Sequence, residues 1–221
     1  MICVPELLPL FLNLTGRQVL LVGGGRVAAA KLRQLIAVGA RVRVVAPEIS
    51  EDVLSVGAEL ARPDVDVIRR AFQPSDLDDA WLVVAAATPE VNREVADAAN
   101  QRRRFVNAVD DPANASAYMA GVVRRDGVTI AISTSGDAPA LTALLREAIE
   151  RLLPHDLRTW MEAARRQRII WRRERIPIDE RKPMLLDALN DLYPPAAGPA
   201  TQAEKTSPRV PWLNAPEDSW L

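Results

Sequence analysis

A glycine-rich turn between an apolar run and an amphipathic segment is the part of the chain best suited to hold a nucleotide. Gly23, Gly24 and Gly25 follow apolar residues 19–22. Gly23 permits a sharp turn at the end of a strand, and Gly25 leaves room for a pyrophosphate beside the backbone. The helix that follows directs its free N–H groups at that phosphate. A tight turn without a ligand is the alternative, but the strand before it and the helix after it favour a dinucleotide site.

The second predicted strand, residues 41–45, bears on which dinucleotide is expected. It ends in Ala46-Pro47-Glu48 and carries no acidic residue at its last position. An acidic side chain near this point accepts hydrogen bonds from the ribose hydroxyls of NAD, whereas an arginine suits the 2′-phosphate of NADP. Glu48 stands slightly beyond the usual position and no arginine follows it closely. The sequence therefore favours NAD.

Length and composition restrict the class of protein. The chain has 221 residues, of which 48% are hydrophobic, and a formal net charge of -1, so it can bury a core and has no global basic field for nucleic acid or a membrane. The single cysteine excludes an internal disulfide framework, and with one histidine we expect no preformed transition-metal site. The N-terminus lacks the positive charges of a signal peptide and no apolar run is long enough for a bilayer, so we expect a cytoplasmic protein.

Strand and helix patterns alternate along the first half of the chain. A helix is predicted from Pro89 to about Arg102. Further strands are predicted near residues 66–70, 81–87 and 105–109. This alternation indicates a parallel sheet with helices on both faces, because parallel neighbours need crossover connections. We therefore assign residues 1–112 to an α/β domain of the Rossmann type.

The pattern changes after this domain. Two β-like runs, 117–124 and 128–133, are joined by a turn with Asp126-Gly127 at its tip, and an amphipathic helix follows with Asp137 as its expected N-cap. This small α+β module, residues 113–153, is undersized for a core of its own. We expect it to pair with a second copy and form a homodimer.

The remaining sequence predicts helices and then a tail. Residues 154–193 combine arginines with interspersed tryptophan, methionine and isoleucine and are assigned to a helical domain. Residues 194–221 are dominated by Pro, Ala, Thr and Ser and are expected to be extended or disordered. Trp212 and Trp220 in this tail are interpreted as incidental.

Asp110 is the residue best placed for catalysis. In an open parallel sheet, ligands bind outside the carboxyl ends of the strands, and Asp110 follows the last predicted strand of the α/β domain. A partly desolvated carboxylate at this position can accept a proton at neutral pH. The alternative is that Asp110 or Asp111 caps the turn before Pro112. His155, the single histidine, is interpreted as a cap or a solvated residue.

Several segments together resemble one family, the precorrin-2 dehydrogenases of sirohaem and cobalamin biosynthesis, which also form the N-terminal part of sirohaem synthase. No single block is specific, but their order and spacing over residues 9–155 are. The matching blocks are Leu10–Leu14, Val22–Ala28 with Lys31, Val44–Glu48, Val83–Thr88, Asn107–Asp111 and Ile132–Pro139.

The resemblance implies an NAD-dependent oxidation of precorrin-2 to sirohydrochlorin, carried out by a homodimer. Asp110 matches the family's key aspartate and becomes the candidate base or ring-orienting group. The residues assigned to the cofactor are Gly23, Gly24, Gly25, Arg26, Val27, Pro47, Glu48 and Thr88. The residues assigned to the tetrapyrrole cavity are Asn107, Ser133, Ser135 and Gly136. Family members often carry two adjacent glycines where this chain has Ser135-Gly136, a departure that concerns the flexibility of this loop.

Several questions stay open at the level of sequence. Some relatives also insert ferrous iron into sirohydrochlorin, and nothing in the sequence decides this or whether the product serves sirohaem or cobalamin. Which arginines bind substrate carboxylates is also open. The competing hypotheses are an NAD-sensing regulatory module and a ferrochelatase that no longer oxidises. A sensor would not need the blocks Asn107–Asp110 and Ser133–Pro139, which weighs against the first of these.

Overall fold

The first half of the chain alternates between strands and helices, as its sequence pattern predicts. The structure, a computed structural model, describes residues 6–59 and 64–193. The strands here are β1 (Gln18–Val22), β2 (Arg41–Val45), β3 (Val65–Ile68), β4 (Leu82–Ala85) and β5 (Val106–Ala108). The helices are α1 (Arg26–Ala37), α2 (Glu51–Glu59) and α3 (Pro89–Gln101).

These strands form one parallel sheet in the order β3-β2-β1-β4-β5. Val22 at the end of β1 is level with Val45 of β2 and with Ala85 of β4, so the carboxyl ends of the three central strands reach the same edge. The chain runs outward from β1 to β3 and then crosses to β4. The switch point of an open α/β sheet, where ligands bind, therefore lies between β1 and β4. The predicted fold class is confirmed.

Alternate side chains of β1 point into two separate cores. Val19 and Leu21 pack in the core that contains α1 and α2, and Leu20 and Val22 pack in the core that contains α3. Burial of one such side chain stabilises the fold by about 1.5–3 kcal/mol. Ala28 is fully buried, and its small side chain allows α1 to pack closely on the sheet. The two cores therefore hold the turn after β1 in place.

The second half begins with a hairpin of β6 (Gly121–Arg125) and β7 (Val128–Ile132). Asp126 and Gly127 in its turn have φ angles of 49° and 90°, the conformation of a type I′ turn, which matches the twist of paired strands. Three helices follow: α4 (Pro139–Leu152), α5 (Leu157–Glu174) and α6 (Ile178–Asn190).

Two details predicted for this region are wrong. The β-like run from residue 117 becomes a strand only at Gly121, because the N–H of Ala117 donates to Val106 O and the side-chain amide of Asn107 donates to Ala117 O. These bonds hold Ala117 against β5. Asp137 is not the N-cap of α4, since the helix begins two residues later at Pro139.

The described residues cluster into two compact units. The first unit runs up to Gly121 and includes Ala131–Arg146, and the second contains Val122–Ile130 and the residues from Glu147 onward. In the second unit, Trp160 donates a hydrogen bond of 2.6 Å to the Tyr193 hydroxyl, which in turn bonds the Asp156 carboxylate.

The domain boundaries drawn from the sequence stay a prediction. The tail 194–221, with Trp212 and Trp220, lies outside the described residues, as does Cys3. Within the described ranges, no helix is both long enough and apolar enough to cross a membrane.

Candidate functional site

A cavity of about 550 Å³ opens at the switch point of the sheet. Its wall is formed by the turns that follow β1, β2 and β4, with further residues from the loop after β3 and from α3. The wall residues assigned from the sequence are Gly23, Gly24, Gly25, Pro47, Glu48 and Thr88. Arg26 and Val27 lie outside the wall, exposed in the first turn of α1.

The three glycines of this cavity have different reasons to be glycine. Gly23 has a φ of 130°, and a Cβ there would overlap the carbonyl oxygen of Ala86. A Cβ on Gly24 would overlap the carbonyl oxygen of Glu48. A Cβ on Gly25 would meet no atom within 4 Å, and its φ of -91° suits any residue. The fold therefore requires Gly23 and Gly24, whereas Gly25 keeps open the space in front of the helix.

The first turn of α1 is built to receive an anion. Gly25 is its N-cap and supplies no side-chain hydrogen bond, and the first turn holds no acidic residue. The first intrahelical bond runs from Ala29 N–H to Gly25 O, at 3.0 Å. The N–H groups of Arg26, Val27 and Ala28 therefore have no partner within the helix, and the helix dipole adds positive potential at this point. These donors and the space above Gly25 fit a dinucleotide pyrophosphate.

The turn after β2 is fixed against the glycine turn. Ser50 N–H donates to Gly24 O at 2.8 Å. Glu48 is exposed in the cavity wall, and no arginine is among the described residues of that wall. The side chain of Thr88 also faces this region, but its hydroxyl bonds the Glu90 carboxylate, whose pKa is lowered by its own backbone N–H and by Thr88.

An ion pair shapes the loop that brings Phe72 into the cofactor cavity. Arg70 forms two hydrogen bonds to the buried Asp76 carboxylate, at 2.8 and 2.5 Å, and one to Ala71 O at 2.9 Å. Gln73 N–H also donates to Asp76, at 2.9 Å. Burial alone would raise the pKa of Asp76, but the bonds from Arg70 and Gln73 hold it below its usual value. The sequence analysis did not single out this loop.

A second cavity, of about 400 Å³, lies beyond the carboxyl end of β5. The segment after β5, the approach to β6, the end of β7 and the start of α4 form its wall, and Lys31 of α1 contributes one side chain. The assigned substrate residues Asn107, Ser133 and Gly136 belong to this wall, together with Asp110. Ser135 does not; it adopts a left-handed φ of 54°, and its N–H donates to Ser133 Oγ.

The two neighbouring aspartates, Asp110 and Asp111, have different surroundings. Asp111 is the N-cap residue of a short 3₁₀ turn, and its carboxylate accepts a 2.7 Å hydrogen bond from the side chain of Asn114. Asp110 has a φ of 57°, a left-handed conformation that an aspartate tolerates better than most residues, and lines the cavity without such a bond. Its side chain is exposed, so the partial desolvation expected from the sequence is not observed. Asp111 therefore has a structural role, whereas no hydrogen bond from a described residue engages the Asp110 carboxylate.

A buried asparagine joins the walls of the two cavities. Asn92 Oδ1 accepts a 2.9 Å hydrogen bond from Ala87 N–H, and its Nδ2 donates to Val109 O at 3.3 Å. Ala87 belongs to the cofactor cavity, and Val109 to the second cavity next to Asp110. The sequence analysis missed Asn92; the available signal was a polar residue on the otherwise apolar inner face of α3.

Asn107 and Gly136 complete the second cavity in different ways. Asn107 is 7% exposed, and its Oδ1 is a buried acceptor with no partner among the described residues. Gly136 has a φ of 87°, and a Cβ there would come within 3.0 Å of Pro112. The glycine of the Ile132–Pro139 block is therefore required where the loop passes Pro112.

The part of the chain that the structure describes contains no group of three or more His, Cys, Asp or Glu side chains arranged for a metal ion. His155 is exposed just before α5. The chemistry available from the described wall of the second cavity is therefore that of two carboxylates, an ammonium group and neutral polar side chains.

Two family models match consecutive parts of the chain. Residues 10–121 match the family described as "Putative NAD(P)-binding", and residues 125–152 match "Sirohaem biosynthesis protein central". The chain belongs to the precorrin-2 dehydrogenase family. The resemblance drawn from the sequence blocks is confirmed, and the first unit contains an NAD(P)-binding domain.

Curated relatives carry names from the same pathway. Siroheme synthase 3 of Aeromonas hydrophila is 43% identical over 153 residues, which is 69% of this chain and 32% of the relative. Siroheme synthase of Zymomonas mobilis is 36% identical over 208 residues, which is 91% of this chain and 43% of the relative. The chain thus spans about two fifths or less of the length of these relatives.

A solved structure shares the fold. The protein named "SirC, precorrin-2 dehydrogenase" superposes with a TM-score of 0.65 at 23% identity, covering 85% of this chain and 92% of that one. This similarity supports the fold described above for this chain.

Proposed function

We propose that this chain is an NAD-dependent precorrin-2 dehydrogenase that converts precorrin-2 to sirohydrochlorin. The observation that carries the proposal is the pair of cavities at one edge of the sheet, joined by Asn92, one suited to a dinucleotide and the other holding Asp110. The names of the siroheme synthase relatives and of the SirC structure support the choice of substrate.

The reaction removes two hydrogens from the macrocycle, one as hydride and one as a proton. When bound, the nicotinamide ring supplies the hydride acceptor. The glycine turn and the first turn of α1 would hold the pyrophosphate, and Glu48 would accept hydrogen bonds from the ribose. Asp110 accepts the proton or orients the ring for its release, a role that typically contributes 10²–10⁴-fold to the rate. Asn92 fixes the backbones of Ala87 and Val109, which line the cofactor cavity and the second cavity respectively.

NAD, rather than NADP, is the proposed cofactor. Glu48 in the wall can accept hydrogen bonds from ribose hydroxyls, and the same carboxylate would repel a 2′-phosphate. The described wall offers no arginine to bind that phosphate. Calorimetric titration should therefore give a lower Kd for NAD than for NADP, and a clear preference for NADP would contradict the assignment.

The proposed enzyme is a homodimer assembled through the region of α4. None of the residues of this helix is buried, and Leu141, Leu144 and Leu145 are 47%, 63% and 39% exposed. An uncovered leucine face on an amphipathic helix indicates an interface. In a symmetric dimer, the same face of a second copy covers it. Leu144→Glu should convert the dimer to a monomer in light scattering. Ile169→Glu, at a similarly exposed isoleucine of α5, should leave the dimer intact; a monomeric wild type would contradict the proposal.

The function is tested by an anaerobic assay of the purified chain with precorrin-2 and either dinucleotide, in which NADH and sirohydrochlorin are measured together. We expect equal amounts of both products with NAD. Ferrous iron is then added to test whether the same chain makes sirohaem. Binding of NAD without turnover would indicate an NAD-sensing regulatory module. Iron insertion into supplied sirohydrochlorin, without oxidation of precorrin-2, would indicate a ferrochelatase that no longer oxidises.

A further inference from the structure

Lys31 is the only positively charged side chain in the described wall of the second cavity. It extends from α1, the helix whose first turn lies at the cofactor cavity, and it is half-buried. Among the described residues, no hydrogen bond or ion pair at contact distance engages its ammonium group, and the charge that acts on it is that of Asp110. Family resemblance places Lys31 in a matching block but assigns it no role.

The surroundings of Lys31 are unfavourable for a cation that has no ligand. Burial lowers the pKa of Lys31, and the nearby Asp110 carboxylate only partly offsets this effect. An ammonium group that has lost part of its hydration gains most from a charge-assisted hydrogen bond to an anion. The described residues therefore offer no hydrogen-bond acceptor to the Lys31 ammonium group.

The charges in the cavity wall indicate which kind of ligand Lys31 suits. Asp110 and Asp111 place two carboxylates in the wall, and Lys31 is the one cation that the described part of the chain contributes to it. A ligand that carries carboxylates would be repelled by both aspartates if Lys31 were neutral. A short acidic group on the ligand that reaches Lys31 would instead be held beside Asp110, the group proposed to receive the proton.

We propose that Lys31 binds a carboxylate of the tetrapyrrole and thereby holds the macrocycle against Asp110. This inference rests on the proposed function, because it takes its ligand class from there. Lys31 is then a substrate-binding residue whose loss weakens the binding of the macrocycle and leaves the dinucleotide site unchanged.

The test measures equilibrium binding of sirohydrochlorin, the product, under anaerobic conditions and without NAD, by ultrafiltration at several salt concentrations. Four proteins are compared: wild type, Lys31→Met, Lys31→Arg and Lys182→Met. Lys182 is exposed on α6 and is not among the residues that line the cavity, so its variant removes the same charge from a residue outside the cavity wall. Thermal melting checks that each variant folds, and removal of a partly buried, unpaired charge should not lower the Tm of Lys31→Met.

We expect Lys31→Met to raise the Kd for sirohydrochlorin about tenfold and to reduce its dependence on salt, as for the loss of one charge-assisted hydrogen bond. Lys31→Arg should restore most of the affinity, Lys182→Met should match wild type, and the Kd for NADH should be the same in all four. A folded Lys31→Met that binds sirohydrochlorin as tightly as wild type, with the same salt dependence, would overturn the inference alone. A wild type that does not bind sirohydrochlorin would overturn the proposed function with it.

Discussion

The two cavities at the edge of the sheet differ in the part of the chain that forms their walls, backbone in one and side chains in the other. The cofactor cavity is made mainly of backbone: glycine turns, strand ends and the first turn of α1. The second cavity depends on individual side chains, with Asp110 in the segment after β5, Asn107 in β5 and Lys31 in α1. A dinucleotide presents the same pyrophosphate to every protein, and backbone N–H groups suffice to hold it. A reaction on a macrocycle needs particular acids, bases and charges, and these only side chains supply.

This contrast predicts opposite sensitivities to mutation. Removal of a side chain from the second cavity should reduce turnover. Addition of a side chain to the cofactor cavity should weaken the binding of NAD. The largest effect is expected for Asp110→Ala, which should slow NADH formation from precorrin-2 by about 10²–10⁴-fold while the Kd for NAD stays unchanged.

Asp111→Ala is the matched control for that variant, because it removes a carboxylate one residue away. It loses the bond to Asn114, which costs about 1 kcal/mol of stability, and should retain most of the activity. His155→Ala should be equally mild. Near-normal turnover by Asp110→Ala would remove this residue from the mechanism.

In the cofactor cavity, Gly25→Val should weaken the binding of NAD by about tenfold or more, equivalent to about 1.4 kcal/mol, without loss of the fold. The added side chain meets open space in the protein but occupies the place of the pyrophosphate. Gly23→Ala differs in kind: its Cβ overlaps Ala86 O at a φ of 130°, so the variant should melt at a lower temperature or fail to fold. Melting curves and NAD titrations separate the two, and a Gly25→Val protein with wild-type affinity for NAD would contradict the account.

The same contrast explains what the sequence could predict. Buried strands, amphipathic helices and the glycine turn follow local rules, so the parallel sheet and the glycine turn of the cofactor wall were predicted from pattern. Asp110 was found because it follows a strand. Asn92 was missed, and Lys31 was named only within a matching block and given no role, because each lies inside a helix and only the packing of α3 and α1 on the sheet brings them to the cavities. The irregular path of residues 117–120 depends on the hydrogen bonds from Ala117 to Val106 and from Asn107 to Ala117, which pattern does not reveal.

Asn92 tests the connection between the cavities, with an intermediate effect. Asn92→Asp keeps an acceptor for Ala87 N–H and loses the donor to the carbonyl of half-buried Val109, at a cost of about 1 kcal/mol. We expect a lower kcat as well as a lower Tm, with the KM for NAD little changed. Asn100→Asp, on the exposed face of the same helix, should change neither. A variant that loses stability but keeps the wild-type kcat would show that Asn92 only supports the fold.

The smallest effect is expected from acid on the loop that carries Phe72. The pKa of Asp76 is lowered in the folded chain, so its stabilising contribution is complete above its ordinary value of 3.8 and is lost as pH falls through the lowered value. Asp76→Asn should remove this part of the acid dependence of unfolding, measured by urea titration at a series of pH values. Asp79→Asn, at an exposed carboxylate of the same region, should leave the dependence unchanged.

The central claim is that the two cavities serve one reaction, and isotope transfer tests it most directly. Precorrin-2 that carries deuterium at the oxidised carbon is incubated anaerobically with NAD and the wild-type chain, and the reduced nicotinamide is analysed by mass spectrometry. Direct hydride transfer predicts one deuterium in each NADH formed. Unlabelled NADH, with the deuterium released to water, would contradict the claim.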